Sequence, residues 1–139
     1  MSMETTEGKL WFNGEMIEQP DAKVHVLTHS LHYGMAVFEG VRAYQTDEGR
    51  TAIFRLDDHT ERLLGSAKIF QLDVPYDKAT LDQAQKDVVK QNGFDSAYLR
   101  PLIWVNAKKL GLSSRDNSIN AMVAAWKWGA YLGEEGIQK

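Results

Sequence analysis

The sequence predicts an α+β fold, a mainly antiparallel sheet with two helices packed on one side. Three observations lead there. Glycine-bearing turns separate short apolar runs over the first 55 residues, two later stretches switch to helical period, and the chain then returns to long β-branched and aromatic runs. With 139 residues, 43% hydrophobic and 25% charged, the composition is that of one ordinary globular core rather than a disordered chain.

The elements follow in order. In "KLWFNGEMIE" two short runs flank Asn13-Gly14, a dipeptide that supplies the positive φ angles of a tight hairpin turn. "HVLTHSLHYG" is rich in histidine and closed by Gly34. Residues 36 to 55 form a second, longer hairpin whose polar turn is "QTDEGR". Alternation along its first strand puts Phe38, Gly40, Arg42 and Tyr44 on one face and Val37, Glu39, Val41 and Ala43 on the other.

Helical spacing of Leu63, Ala67 and Phe70, with Asp58 followed by Glu61 as a capping box, predicts a helix starting near Asp58. A second helix is signalled by Thr80 with Gln83, carries Leu81, Ala84 and Val88 on one face, and stops at Asn92-Gly93. "SAYLRPLIWV" returns to strand, with Tyr98, Arg100, Leu102 and Trp104 on one face and Pro101 predicting an edge or a bulge. "INAMVAAWKW" reads as a buried strand, and the last ten residues read as a connector.

Several function classes are set aside. No cysteine is present, which removes disulfides, thiol nucleophiles and thiolate metal sites. A net charge of −3 offers no general attraction to nucleic acid. No apolar run is long enough to span a bilayer, and "MSMETTEGK" has no basic region followed by an apolar stretch. The expectation is a cytoplasmic protein.

Among candidate site residues, His25, His29, His32 and His59 lack nearby acids in a ligand pattern, so local packing and hydrogen bonding is expected of them rather than a metal. Arg62 admits two readings. It lies in the second turn of its helix, where it could help clamp an anion, but the spacing favours a surface pair with Asp58 or Glu61. Tyr98 and Arg100 share a strand face, as do Phe38, Gly40 and Arg42. Were the two strands neighbours, they would form a wall suited to a ligand with an apolar body and a carboxylate; arginines in solvent and aromatics in the core is the other arrangement compatible with the pattern.

"WFNGEM", "AKVHV", "HSLHYGMAVFEGVRAY", "HTERLLGSAKI", "SAYLRPLIWV" and "AAWKWGAYLG" together resemble the N-terminal part of the branched-chain amino-acid aminotransferases, fold-type IV enzymes that use pyridoxal 5'-phosphate. The resemblance runs from about Trp11 to Gly133. It implies a small domain over residues 1–128 and the start of an interdomain connector over 129–139, in a homo-oligomer whose cofactor and substrates, amino acids and 2-oxo acids, lie between a small and a large domain. Carried over residue by residue, Arg62 is similar to the arginine that holds the cofactor phosphate. Phe38, Gly40, Tyr98 and Arg100 resemble substrate-pocket residues, Arg42 supports them, and Tyr131 resembles the tyrosine at the connector side. Tyr33, Leu110 and Leu112 resemble residues that reach the partner subunit's pocket.

The same resemblance implies that an aliphatic side chain and the γ-carboxylate of glutamate occupy one place in turn. Aromatic surface suits the first, a guanidinium and phenols suit the second, and Gly40 is expected to let the ligand approach closely. The lysine that forms the Schiff base with the cofactor lies in the family's large domain, and none of the ten lysines here stands at a matching place. The chain alone is therefore expected to be inactive and not to bind the cofactor stably. The alternative is a non-catalytic binding module that retains the small-domain fold.

Overall fold

The computed structural model describes residues 7–107 and 116–127. Strands β1 (Lys9–Phe12) and β2 (Glu15–Glu18) pair antiparallel across Asn13 and Gly14, whose φ angles of 47° and 98° are those of a primed two-residue turn. Five further strands, β3 (Ala36–Phe38), β4 (Val41–Gln45), β5 (Thr51–Ile53), β6 (Ala97–Val105) and β7 (Ile119–Lys127), complete one sheet. Its order is β2-β1-β7-β6-β4-β5, with β3 also on β6, and every pairing is antiparallel. The α+β expectation holds.

The predicted first strand of the long hairpin is present but interrupted. β3 pairs Phe38 with Leu102, and β4 pairs Val41 with Leu99, in one unbroken register. Glu39 and Gly40 therefore fall opposite Pro101 and Arg100. Glu39 donates its N–H to the Pro101 carbonyl (3.0 Å), and proline has no N–H to return. Pro101 is thus neither on an edge strand nor in a bulge: β6 is central, and the missing ladder bond falls where its neighbour breaks.

Helices α2 (Leu56–Ile69) and α3 (Lys78–Gln91) cover one face of the sheet. Leu63 and Ala67 of α2 and Leu81, Ala84 and Val88 of α3 join Val37, Val41, Leu99, Ile103 and Val123 in the core. Thr60 fills the place in the α2 stripe that Phe70 was expected to share; Phe70 lies just past the helix and is exposed. Between the helices Gln85 Nε2 donates to Thr60 Oγ1 (3.0 Å) and to the Leu81 carbonyl (3.3 Å), while Gln85 Oε1 is buried without a partner.

Both expected capping boxes are misplaced by a few residues. α2 follows Arg55 in left-handed conformation with no side-chain cap, and Asp58 instead accepts from Arg55 Nε (2.7 Å). α3 is capped by Asp77, whose carboxylate accepts the Thr80 N–H (2.8 Å), which makes Thr80 the third helical residue. Gly93 at φ 65° provides the left-handed stop after α3 that the sequence predicts.

A short helix, α1 (His29–Tyr33), was not foreseen; it ends on Gly34 at φ 69°. His29 is fully buried against Tyr33, His25 Nδ1 accepts from the Leu27 N–H (3.1 Å), and His32 Nε2 bonds the Val26 carbonyl (2.8 Å). These histidines shape their own loop. Among the described residues no helix is long and apolar enough to cross a membrane.

Candidate functional site

Antiparallel pairing of β4 with β6 sets Arg42 opposite Tyr98, so the two faces singled out in the sequence do form one wall, on the side of the sheet away from α2 and α3. Arg100 is its centre. Its guanidinium lies 4.4 Å from the Phe38 ring centroid and 5.5 Å from that of Tyr98, and Nη2 donates to the Tyr98 hydroxyl (3.0 Å). Cation–π contact with the two rings, together with the bond to the Tyr98 hydroxyl, restrains the fork. Arg100 Nε is buried without a hydrogen-bond partner, a donor that an incoming acceptor would satisfy.

Gly40 has an ordinary backbone, and its lack of a side chain makes room for Tyr98. A Cβ there would stand 2.2 Å from the Tyr98 hydroxyl and 2.9 Å from Tyr98 Cζ. The Tyr98 phenol takes the space that a side chain at Gly40 would fill. Trp126, which the sequence reading did not single out, packs its ring 4.9 Å from Tyr98. Its signal was available, since Trp126 follows the alternation of β7 onto the same face. Arg42 donates to the Tyr44 hydroxyl (3.3 Å) at the exposed margin of the wall.

Arg62 reaches Glu39 at the break between β3 and β4 from α2, and neither Asp58 nor Glu61 is its partner. Its Nε and Nη2 donate to the two carboxylate oxygens of Glu39, both at 2.7 Å, and His59 Nδ1 meets Glu39 Oε2 at 2.9 Å. Because a carboxylate only accepts, His59 carries its proton on Nδ1 here. Hydrogen bonding from Arg62 leads the influences on Glu39 and, with His59, outweighs burial to hold its carboxyl below the usual carboxylate range. Glu39 in turn raises the pKa of the guanidinium.

Tyr33 sits on α1 and is exposed. Leu110, Leu112 and Tyr131 lie outside the described residues, as does the expected connector 129–139.

The family described as amino-transferase class IV matches residues 36–138. The chain belongs to the class IV aminotransferases. Over all of its 139 residues it is 47% identical to the branched-chain-amino-acid aminotransferase of Pseudomonas aeruginosa, and over 131 residues it is 44% identical to that of Escherichia coli K12. It covers 45% and 42% of those two proteins, so this aminotransferase chain spans less than half the length of the curated relatives it matches.

Solved structures agree with the sequence match. The branched-chain amino acid aminotransferase of Escherichia coli superposes with a TM-score of 0.87 at 45% identity, over 93% of this chain and 42% of the other. The branched-chain aminotransferase of the archaeon Thermoproteus uzoniensis, solved with norvaline, gives 0.83 at 42% identity, over 88% and 41%. The open antiparallel sheet with few helices is therefore the small-domain fold of class IV aminotransferases.

The residues present fit a phosphate-bearing cofactor. Glu39 occupies two of the five N–H groups of Arg62, and the side chain is 68% exposed. Its remaining N–H groups point away from Glu39, available to an anion.

Proposed function

We propose that this chain is the small domain, residues 1–128 with the connector beginning at 129, of a cytoplasmic branched-chain amino-acid aminotransferase. In this reading it acts as a homo-oligomer on amino acids and 2-oxo acids with pyridoxal 5'-phosphate. The observation that carries the reading is Arg100, stacked on Phe38 and tied to Tyr98. One wall thereby offers an aromatic surface for an aliphatic side chain and, beside it, a guanidinium for a carboxylate.

In the reaction, Phe38 and Tyr98 exclude water from the side-chain end of the substrate, while Arg100 orients a dicarboxylic substrate through its γ-carboxylate. Arg62 holds the cofactor phosphate from the small-domain side. Bound pyridoxal 5'-phosphate supplies the electron sink that lets an amino group pass between carbon skeletons. Tyr131 lines the connector side, and Tyr33, Leu110 and Leu112 serve the partner subunit's pocket.

Two measurements test this. In the full-length protein, Arg100→Ala is expected to lower kcat/KM for glutamate and 2-oxoglutarate by roughly 10- to 100-fold, the worth of a hydrogen-bonded charge, and to change leucine far less. An equal loss for both substrate types would argue against the carboxylate role. The 139-residue chain alone, treated with pyridoxal 5'-phosphate and borohydride, is expected to give no stoichiometric pyridoxyl-lysine. Mass spectrometry showing one labelled lysine per chain would overturn the assignment of the Schiff-base lysine to the large domain.

A further inference from the structure

Glu39 is the one acidic side chain among the described residues that is buried, at 5% exposure. A carboxylate taken out of water is strongly destabilising unless its oxygens are paired, and both oxygens of Glu39 are paired. Its principal partner is not buried with it. Arg62 reaches in from α2 with its Nε edge while most of the side chain stays in solvent.

An exposed arginine samples many rotamers, and an ordinary surface ion pair restrains it little because both partners are mobile. Here one partner is immobile. Glu39 is fixed by its backbone bond to Pro101, by its burial and by His59, and its two oxygens match the arginine fork at 2.7 Å each. The plane of the Arg62 guanidinium is consequently set before any ligand arrives.

We infer that Glu39 is a positioning residue: it presents the outer edge of Arg62 to a phosphate monoester, with His59 bracing the carboxylate at Oε2, the oxygen it shares with Arg62 Nη2. The inference rests on the reading that Arg62 grips the cofactor phosphate. Because Glu39 neutralises the guanidinium charge locally, the grip depends on the direction of the free N–H groups rather than on net charge. Misdirection alone then weakens it.

The test compares pyridoxal 5'-phosphate with pyridoxal, which lacks the phosphate, by equilibrium dialysis against the full-length protein, so that binding is read without turnover. Arg62→Ala is expected to abolish the preference for the phosphorylated form. Glu39→Gln is expected to reduce that preference about tenfold, in the range seen for outer partners of ligand-holding groups, to leave pyridoxal affinity unchanged, and to have no further effect in the Arg62→Ala background. If Arg62→Ala leaves the preference intact, the phosphate reading of Arg62 fails. If Arg62→Ala removes it while Glu39→Gln leaves it intact, only the role of Glu39 fails.

Equal weakening of both ligands by Glu39→Gln would make Glu39 a structural strut and overturn the inference. Should Glu39→Gln not fold by circular dichroism, Glu39→Asp, which keeps the charge and withdraws it by one methylene, is read the same way. Failure of both variants to fold counts against positioning.

Discussion

Gly40→Ala is expected to lower kcat/KM for dicarboxylic substrates of the full-length protein about 100-fold while costing only about 1 kcal/mol of stability. The added methyl would stand 2.2 Å from the Tyr98 hydroxyl and 2.9 Å from Cζ, so the ring must leave its place. The clash is with a side chain and not with backbone, which is why the fold survives. That end, however, holds Arg100 through the 3.0 Å bond and packs on Trp126. Releasing it lets the guanidinium swing off Phe38, and the carboxylate site loses its geometry. Adding Tyr98→Phe would remove the closest clash but leave Cζ at 2.9 Å, so it is expected to recover only part of the stability and none of the dicarboxylate turnover. A Gly40→Ala protein with unchanged kcat/KM for glutamate would show that Tyr98 does not position Arg100.

Leu63→Ala is expected to have the larger effect on stability, about 3 kcal/mol and a fall in melting temperature of roughly 10 °C. Leu63 is fully buried in the core shared by α2 and the helix-facing side of the sheet. The cavity left behind cannot collapse easily, since Val37 and Val41 are fixed in strands while Ala67 is fixed in the helix. The same change loosens the seat of Arg62, the preceding residue, so cofactor affinity should fall with stability. Thermal unfolding of this chain checks the first, and equilibrium dialysis of pyridoxal 5'-phosphate against the full-length protein checks the second. A shift below about 3 °C would mean that α2 contributes little to the cooperative core.

Much of the fold was legible because its signals are local. The Asn13-Gly14 hairpin needs only two residues that tolerate positive φ, and the faces of α3 and β6 follow from period alone. Helix starts were misread for an equally local reason: several acids and threonines compete for each cap, and only backbone geometry selects Asp77 over Thr80. Pro101 misled because its missing donor looks like an edge when read alone. In the sheet that absence coincides with the break at Glu39 and Gly40.

For the site, alternation in the sequence determined which residues could share a wall: Phe38, Gly40, Arg42 and Tyr44 on one strand, Tyr98 and Arg100 on another. It could not bring the strands together, since strand order depends on pairings between segments far apart in the chain. Nor could it choose the partner of Arg62. Spacing pointed to Asp58 or Glu61 on the same helix, whereas the tertiary structure supplied Glu39 from β-structure across the helix–sheet interface. That carboxylate is buried, which no linear pattern reports, and it takes one edge of the guanidinium while the side chain stays mostly exposed.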